Sequence, residues 1–223
     1  MYGRAMSKRP TLGEKLAARR VKDPVWKARY DGLVRHLKET GVGRAALQAG
    51  DVCPDFMLAN AEGELVSSAE LLKQGPLVLS FYRGKWCPYC RIELDALKDA
   101  TSDIAAAGGL LVAVTAEDKG GALTAKRDRK LDFEILCDLE NGLSLAFGLL
   151  FRVPHDFRDN YREVGVDFPV IYGNESWFLP VPATYVIERN GVIRHAYINP
   201  DFRERLEPSE IVDVLTTLKH GQG

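Results

Sequence analysis

The stretch that most constrains this chain is an apolar run that leads into a pair of cysteines. Residues 77–82 have β-strand character, and helix-forming residues follow the sequence Cys87-Pro88-Tyr89-Cys90. This pattern predicts a buried strand that ends in a short basic turn and delivers two thiols to the N-terminus of a helix.

A cysteine at the start of a helix is expected to ionise more readily than a free thiol. The first helical turn has unpaired N–H groups and a partial positive charge, and both stabilise a thiolate. Arg83, Lys85 and Arg91 flank the pair and act in the same direction. We therefore predict that Cys87, which is nearer the helix start and the exposed turn, is the nucleophile. Cys90 is then the resolving thiol that closes a disulfide.

A zinc site is the alternative interpretation of the cysteine pair, because a Cys-x-x-Cys sequence can supply half of its four ligands. The other candidates are Cys53, Cys137 and four histidines, and they show no second paired arrangement. Trp86 before the pair, Pro88 inside it and the preceding β run favour redox chemistry. Cys53 and Cys137 are interpreted as small buried hydrophobes. The prediction includes no metal and no cofactor.

Length and composition narrow the range of partners. The 223 residues suffice for one well-cored domain with an appendage, or for two small domains. The net charge of −1 indicates neither nucleic acid nor a membrane surface as a partner. The first residues lack the apolar core of a secretory signal, and no apolar run approaches the length of a membrane span. We therefore expect a cytoplasmic protein.

Residues 1–48 are predicted to form a charged, helical N-terminal extension. Thr11 with Glu14 reads as a capping box, and Asp23 followed by Pro24 reads as a second helix start. Apolar residues in this second helix recur on one face, so we expect it to pack on a core or on a partner subunit. The second of these outcomes would make the protein a homodimer.

The remainder of the chain alternates between strand and helix signals. Predicted strands at residues 77–82, 110–115 and 133–136 are separated by helical segments, which indicates a largely parallel sheet with helices on its faces. Turns at Glu62-Gly63 and Asn190-Gly191 each predict a β-hairpin. We therefore expect an α/β protein in which these antiparallel pairs extend the sheet.

Residues 150–180 lose this periodicity and are rich in proline and aromatic residues. A loop of this length inside a compact domain is typical of a functional lid or a partner surface. An ordered insertion that only packs is the other interpretation.

Three stretches of the chain resemble one known family. Residues 50–56, residues 81–90, and residues 182–187 followed by Asn190-Gly191 resemble the alkyl hydroperoxide reductase/thiol-specific antioxidant family, and more narrowly its peroxiredoxin-like branch. The resemblance implies a thioredoxin-like fold, with a central mixed β-sheet flanked by helices and an added N-terminal β-hairpin. The helical extension would then precede a domain of residues 49–223, with the insertion at about 150–180.

The resemblance also implies chemistry, namely the reduction of hydroperoxides or disulfides by a cysteine that a thioredoxin- or glutathione-type donor resets. Cys87 matches the attacking cysteine of the family, and Pro182 matches the cis-proline that faces the dithiol in thioredoxin folds. Trp86 and Pro182 are expected to line a shallow apolar groove for the substrate or the donor. Arg83 is either a solvated cation or the group that holds the thiolate and binds an oxyanion.

The chain departs from true peroxiredoxins at positions that aim the peroxide. Gly84 and Ser80 stand where the family has a Thr or Ser and a Pro, and Pro182 stands where the family has an Arg. Losing one such donor typically slows a reaction by about 10²–10³-fold. Phe81 replaces the buried Asp of thioredoxins, so Cys90 needs another proton acceptor. A disulfide reductase with weak peroxidase activity, or a non-catalytic redox sensor, are therefore the alternatives to a peroxidase.

Overall fold

The computed structural model describes residues 10–118 and 120–221. Within them the helices are α1 (Leu12–Arg19), α2 (Pro24–Glu39), α3 (Ser68–Gln74), α4 (Pro88–Ala106), α5 (Gly121–Arg129), α6 (Gly142–Ala146), α7 (His155–Glu163), α8 (Phe168–Tyr172) and α9 (Pro208–Gly221). The strands are β1 (Met57–Asn60), β2 (Leu65–Ser67), β3 (Leu77–Phe81), β4 (Leu110–Thr115), β5 (Glu134–Cys137), β6 (Leu150–Arg152), β7 (Phe178–Pro180), β8 (Ala183–Ile187) and β9 (Ile193–Ile198). None of the described helices is both long enough and apolar enough to cross a membrane.

The described strands form a mixed sheet in the order β2-β1-β5-β4-β3-β8-β9. Strands β3, β4 and β5 run parallel, whereas β1 and β2 at one side and β8 and β9 at the other add antiparallel pairs. Both hairpins predicted from Glu62-Gly63 and Asn190-Gly191 are present. The predicted α/β class with a central mixed sheet is therefore confirmed.

Strand β3 has neighbours on both sides and positions the dithiol. All of its residues are buried, as expected for an apolar run that is covered on both sheet faces. The chain leaves β3 at the carboxyl end of the parallel strands and turns through Gly84. The φ angle of Gly84, +147°, is rare for residues with a side chain. A Cβ atom there would lie 2.7 Å from the Glu117 carboxyl carbon and 2.7 Å from Trp86 Nε1. The tight turn before Cys87 therefore requires glycine.

The two N-terminal helices begin where their capping signals predict. Thr11 and Glu14 form a reciprocal capping box, and the Asp23 side chain accepts hydrogen bonds from the first turn of α2. Helix α1 packs on α4, and α2 packs on α7. Residues 1–9, which the helical prediction included, lie outside the described residues.

The segment at 150–180 is an ordered insertion and not an irregular loop. Strands β6 and β7 pair with each other in a small separate sheet, and helices α7 and α8 lie between them in the chain. The sequence did not reveal these elements because each is shorter than the window over which a hydrophobic period can be recognised. Their aromatic residues Tyr161, Phe168, Tyr172 and Trp177 are buried, so the insertion is part of the core.

Candidate active site

Cys87 caps the N-terminus of α4, which begins at Pro88. Proline suits this first helical position because its missing N–H would have no partner there and its φ is already helical. The Cys87 carbonyl accepts from Arg91 N at 3.1 Å, as an N-cap carbonyl does. The predicted arrangement of strand, turn and dithiol at a helix N-terminus is therefore present.

Both sulfur-bearing residues are completely buried, with 0% of either Cys87 or Cys90 exposed. The expectation that Cys87 lies at an exposed turn is wrong. The reason is that the insertion covers the turn: the Trp86 ring packs against Tyr161 of α7 and Phe168 of α8, with ring centroids 5.8 and 5.1 Å away. Local sequence carries no information about this cover, which begins more than 60 residues later in the chain.

Arg83 is the cation nearest to the first sulfur. Its Nη2 donates to Cys87 Sγ at 3.0 Å, and its Nη1 donates to the Tyr161 hydroxyl at 3.5 Å. The guanidinium carbon lies 4.0 Å from the Phe202 ring centroid and 5.1 Å from that of Trp86. Arg83 is only 2% exposed. Of the two predicted alternatives, the solvated cation is excluded and the thiolate partner is observed.

The backbone of the turn is held by the insertion. Trp86 Nε1 donates to the Tyr172 hydroxyl at 2.8 Å, and the same hydroxyl donates to the Arg83 carbonyl. Trp86 is half-buried and Tyr172 is buried. Because these hydrogen bonds join α8 to both ends of the turn, the insertion fixes the approach of Arg83 to the dithiol.

A second cation, Arg205, lies at the other sulfur and was not identified from the sequence. Its Nη2 donates to Cys90 Sγ at 3.4 Å, and its Nε donates to Glu93 Oε2 at 2.7 Å. The Arg205 and Glu93 side chains are 1% and 2% exposed. Arg205 lies in an irregular segment before α9, which has no periodic pattern. The only sequence signal for a buried cation was Glu93, a glutamate one turn after Cys90 on the buried face of α4.

The two thiols differ in ionisation. Burial raises the pKa of Cys87, but the hydrogen bond from Cys90 and the charges of Arg83 and Arg205 outweigh burial and hold it well below its usual range. Burial also raises the pKa of Cys90, and the neighbouring Cys87 thiolate raises it further, well above the usual range. Cys87 is therefore the thiolate of the reduced pair, and Cys90 is its protonated partner.

Glu117 is a buried carboxyl beneath the turn and was also missed. It accepts a hydrogen bond from Lys85 N at 2.8 Å. Burial raises its pKa to about 7, while hydrogen bonds and charge from the turn oppose this increase. Glu117 thus changes its charge near neutral pH beside the turn that carries the dithiol.

We expect replacement of Glu117 by glutamine to remove part of the pH dependence of stability. The folded-state pKa of about 7 exceeds the usual value of 4.5, so the folded protein binds more protons and loses stability as pH rises through this window. Urea unfolding at about pH 5 and about pH 8 measures the effect. Between the lower and the higher pH, the wild type should lose on the order of 2 kcal/mol of unfolding free energy that Glu117→Gln does not lose. An identical pH dependence in both proteins would contradict the prediction.

Pro182 does not have the predicted role. No cis peptide bond occurs within the described ranges, so the Val181–Pro182 bond is trans. Pro182 is buried beside the paired residues Phe81 and Ala183, where β8 joins β3. A match to a sequence motif does not fix the isomer, because cis and trans X–Pro bonds differ by only about 0.5–1 kcal/mol before tertiary contacts act. The two cavities that Trp86 lines among the described residues do not include the buried Pro182, so these residues do not form the predicted groove there.

A cavity of about 220 Å³ lies beside the turn that carries the dithiol and is lined by residues of that turn and of the start of α4. Its lining includes the exposed Arg19 and Arg91, the half-buried Trp86, and the buried Arg83 and Tyr161. Arg83 lines this cavity and also donates to Cys87 Sγ, so a ligand in the cavity would contact the guanidinium that holds the thiolate. The cavity therefore suits a small substrate.

The other two cysteines lie away from this site. Burial raises the pKa of Cys53 to about 12, and Asp55 adds to the effect. Burial also raises the pKa of the half-buried Cys137. Both thiols are therefore less ionised at neutral pH than a free cysteine. No group of three or more His, Cys, Asp or Glu side chains within the described ranges has a metal-binding arrangement.

Comparison with solved structures identifies the fold. The crystal structure of peroxidoxin BcpB from Mycobacterium tuberculosis superposes with a TM-score of 0.60 at 18% identity, covering 77% of this chain and 98% of that one. A mutant of the peroxiredoxin 6 of Arenicola marina superposes with a TM-score of 0.63 at 17% identity, covering 79% and 75%. The thioredoxin-like fold implied by the sequence resemblance is therefore confirmed.

Comparison with protein sequences identifies the family. Peroxiredoxin Q, chloroplastic, of Oryza sativa subsp. japonica is 27% identical over 169 residues, which are 76% of this chain and 67% of that protein. The corresponding protein of Triticum aestivum is 25% identical over 184 residues, covering 82% and 74%. The AhpC/TSA family model matches residues 49–196, which include the dithiol, Arg83 and the insertion. The chain belongs to the AhpC/TSA family.

Proposed function

We propose that this protein is a thiol peroxidase that reduces hydroperoxides through Cys87 and Cys90. The observation that carries the proposal is the Arg83 guanidinium 3.0 Å from a buried Cys87 sulfur at the N-terminus of α4. Helix N-terminus and guanidinium together favour the thiolate, which is the form that attacks peroxides. The naming of its relatives as peroxiredoxins supports the same activity.

In the first step the Cys87 thiolate attacks the terminal oxygen of the hydroperoxide. The O–O bond breaks, the sulfur becomes a sulfenic acid, and the leaving alkoxide takes up a proton to become an alcohol. Arg83 stabilises the negative charge as it moves from the sulfur to the leaving oxygen. Its Nε atom is buried and has no hydrogen-bond partner among the described residues, so it is available to a peroxide oxygen.

In the second step Cys90 attacks the sulfenic sulfur of Cys87. The S–O bond breaks, the S–S bond forms, and the departing oxygen leaves as water with the proton of the Cys90 thiol. A thioredoxin- or glutathione-type donor then reduces the disulfide through a mixed disulfide. In this mechanism Arg83 takes the role of the Arg that the family places at the position of Pro182. The Tyr161 hydroxyl, which accepts from Arg83 Nη1 at 3.5 Å, supplies a hydroxyl at the site in the absence of one at residue 84.

A disulfide reductase is the second candidate. The intact Cys-Pro-Tyr-Cys sequence favours it, as do the missing hydroxyl at Gly84 and the missing arginine at Pro182. The burial of Cys87, which is 0% exposed, favours small disulfides as substrates, because a disulfide within a folded protein needs a larger opening to reach the sulfur. A redox sensor is the third candidate, since the turn before the dithiol is hydrogen-bonded to the insertion.

A coupled assay distinguishes these candidates. Steady NADPH consumption with thioredoxin, thioredoxin reductase and hydrogen peroxide is the result expected for the peroxidase; glutathione with its reductase forms the parallel arm. Turnover of a small disulfide without turnover of peroxide would instead establish the reductase. If neither substrate is turned over although the dithiol titrates as a two-electron couple, the sensor is supported.

A further inference from the structure

The proposed peroxidase chemistry leaves a buried ion pair behind Cys90 without a function. Arg205 and Glu93 meet at 2.7 Å with almost no solvent exposure, and Arg205 Nη2 is 3.4 Å from Cys90 Sγ. The two residues are far apart in the chain, since Glu93 lies on α4 and Arg205 lies between β9 and α9. The ion pair therefore brings a charge from the C-terminal segment to the resolving cysteine.

Stability alone does not explain this pair. Burying two charges is costly, and replacing a buried pair by apolar residues of similar size is often neutral or stabilising. The Arg205 guanidinium is nevertheless tightly fixed, because Nη1 also donates to the Phe202 and Glu204 carbonyls. With Nε bonded to Glu93, the only side-chain partner of Nη2 in the described residues is the Cys90 sulfur.

The charges in contact with the dithiol balance only when one sulfur is ionised. Arg83 and Arg205 each carry one positive charge, and Glu93 carries one negative charge, so the group holds one excess positive charge. In the reduced protein the Cys87 thiolate neutralises it. Oxidation of Cys87 to a neutral sulfenic acid removes that negative charge and also removes the repulsion that keeps Cys90 protonated. A Cys90 thiolate beside Arg205 then restores the balance.

We propose that Arg205, held in place by Glu93, stabilises the Cys90 thiolate as it attacks the oxidised Cys87. Each sulfur thus has its own guanidinium: Arg83 serves Cys87, and Arg205 serves Cys90. The Cys90 proton leaves with the oxygen of the Cys87 sulfenic acid as water, the S–O bond breaks, and the S–S bond forms. In this role Arg205 is a catalytic residue and Glu93 is a positioning residue. The role of Arg205 and Glu93 in peroxide reduction rests on the proposed function.

The attack of Cys90 can also be measured without peroxide. An aromatic disulfide that releases a coloured thiol reports two events: Cys87 releases the first thiol and forms a mixed disulfide, and Cys90 releases the second by attacking that mixed disulfide. Arg205→Met should slow the second release by about 10- to 100-fold, the rate equivalent of one hydrogen bond to a charged group. The first release should slow much less, because Arg83, whose charge lowers the pKa of Cys87 more than that of Arg205 does, is unchanged.

Three further variants distinguish catalysis from folding. Arg205→Lys should recover part of the second rate because it retains the charge, whereas Glu93→Gln should slow the second release while leaving Arg205 present. In Arg205→Met the rate of the second release should also continue to rise up to a higher pH than in the wild type, because the Cys90 thiolate then forms at a higher pH. Arg203→Met is the matched control, because Arg203 is a buried arginine paired with Asp201 and Asp31 and contacts neither sulfur.

The peroxide arm uses the same variants. Rapid mixing with hydrogen peroxide and trapping with dimedone should show the sulfenic acid accumulating in Arg205→Met but not in the wild type. Equal slowing of both releases, or an unchanged second release, would overturn the role of Arg205. Failure of the wild type to form any sulfenic acid would overturn the proposed peroxidase, and the two-release experiment would still decide the role of Arg205.

Discussion

Replacing Cys87 by serine is expected to lower peroxide turnover by more than about 10⁴-fold, the scale of losing a nucleophile. A serine hydroxyl does not ionise at neutral pH, so Arg83 and the start of α4 would have no anion to stabilise. Replacing Cys90 by serine should have a different result. The first oxidation should persist because Cys87 and Arg83 remain in contact, but the sulfenic acid cannot close to the intramolecular disulfide.

The coupled NADPH assay and mass spectrometry after dimedone treatment measure both outcomes. Cys87→Ser should form no dimedone adduct, and Cys90→Ser should form one adduct for each chain after a single addition of peroxide. Cys53→Ser is the matched control, because Cys53 is buried and its raised pKa, about 12, excludes a nucleophilic thiolate. Retention of turnover in Cys87→Ser, or its loss in Cys53→Ser, would assign the chemistry to another thiol.

The fold was predictable where short segments contain their own signals. The apolar run of β3, the Cys87-Pro88 start of α4 and the turns at Glu62-Gly63 and Asn190-Gly191 each fix a local conformation. These elements depend on neighbours a few residues away, through capping, turn chemistry and side-chain alternation. The insertion was not predictable in the same way, because its short elements are stabilised by contacts with the rest of the domain.

The candidate site was predictable only along one continuous stretch. Arg83, Trp86, Cys87 and Cys90 lie within eight residues, and the structure brings them together as expected. The groups that complete the site come from distant parts of the chain: Tyr161 is 78 residues from Arg83, and Arg205 is 115 residues from Cys90. Nothing local marks these residues, since their function arises only when the sheet places α4, α7 and the C-terminal segment in contact.

The burial of the dithiol shows how one error follows from another. Cys87 was expected near an exposed turn, whereas a buried charge is costly unless protein groups compensate it. The structure supplies the compensation from protein groups instead, with a guanidinium at each sulfur. Because residues 150–180 form an ordered cover and not a loop, both sulfurs are buried, and the arginines supply the stabilisation that water gives to an exposed thiolate.

Replacing Arg83 by methionine is expected to produce the second largest loss of activity. Without the guanidinium, burial dominates, so the pKa of Cys87 should rise and little thiolate should remain at neutral pH. The rate of reaction with hydrogen peroxide should fall by about 10²–10³-fold near pH 7. The rate should recover partly as pH rises towards the new pKa, whereas the wild-type rate should be nearly constant over the same range. Arg83→Lys, which keeps the charge but loses the planar fork, should be intermediate.

The Arg83→Met protein should be as stable as the wild type. An unchanged stability would show that its lower rate comes from the lost guanidinium and not from misfolding. Arg83 is buried between the Phe202 and Trp86 rings, an environment that a methionine side chain fills well. The Cys87 thiol of the variant is neutral near pH 7, so the loss of Arg83 leaves no unpaired buried charge. Thermal unfolding of the reduced protein, measured beside iodoacetamide alkylation across pH, tests both statements. A large decrease in the unfolding midpoint with an unchanged alkylation profile would mean that Arg83 supports the fold and not the thiolate.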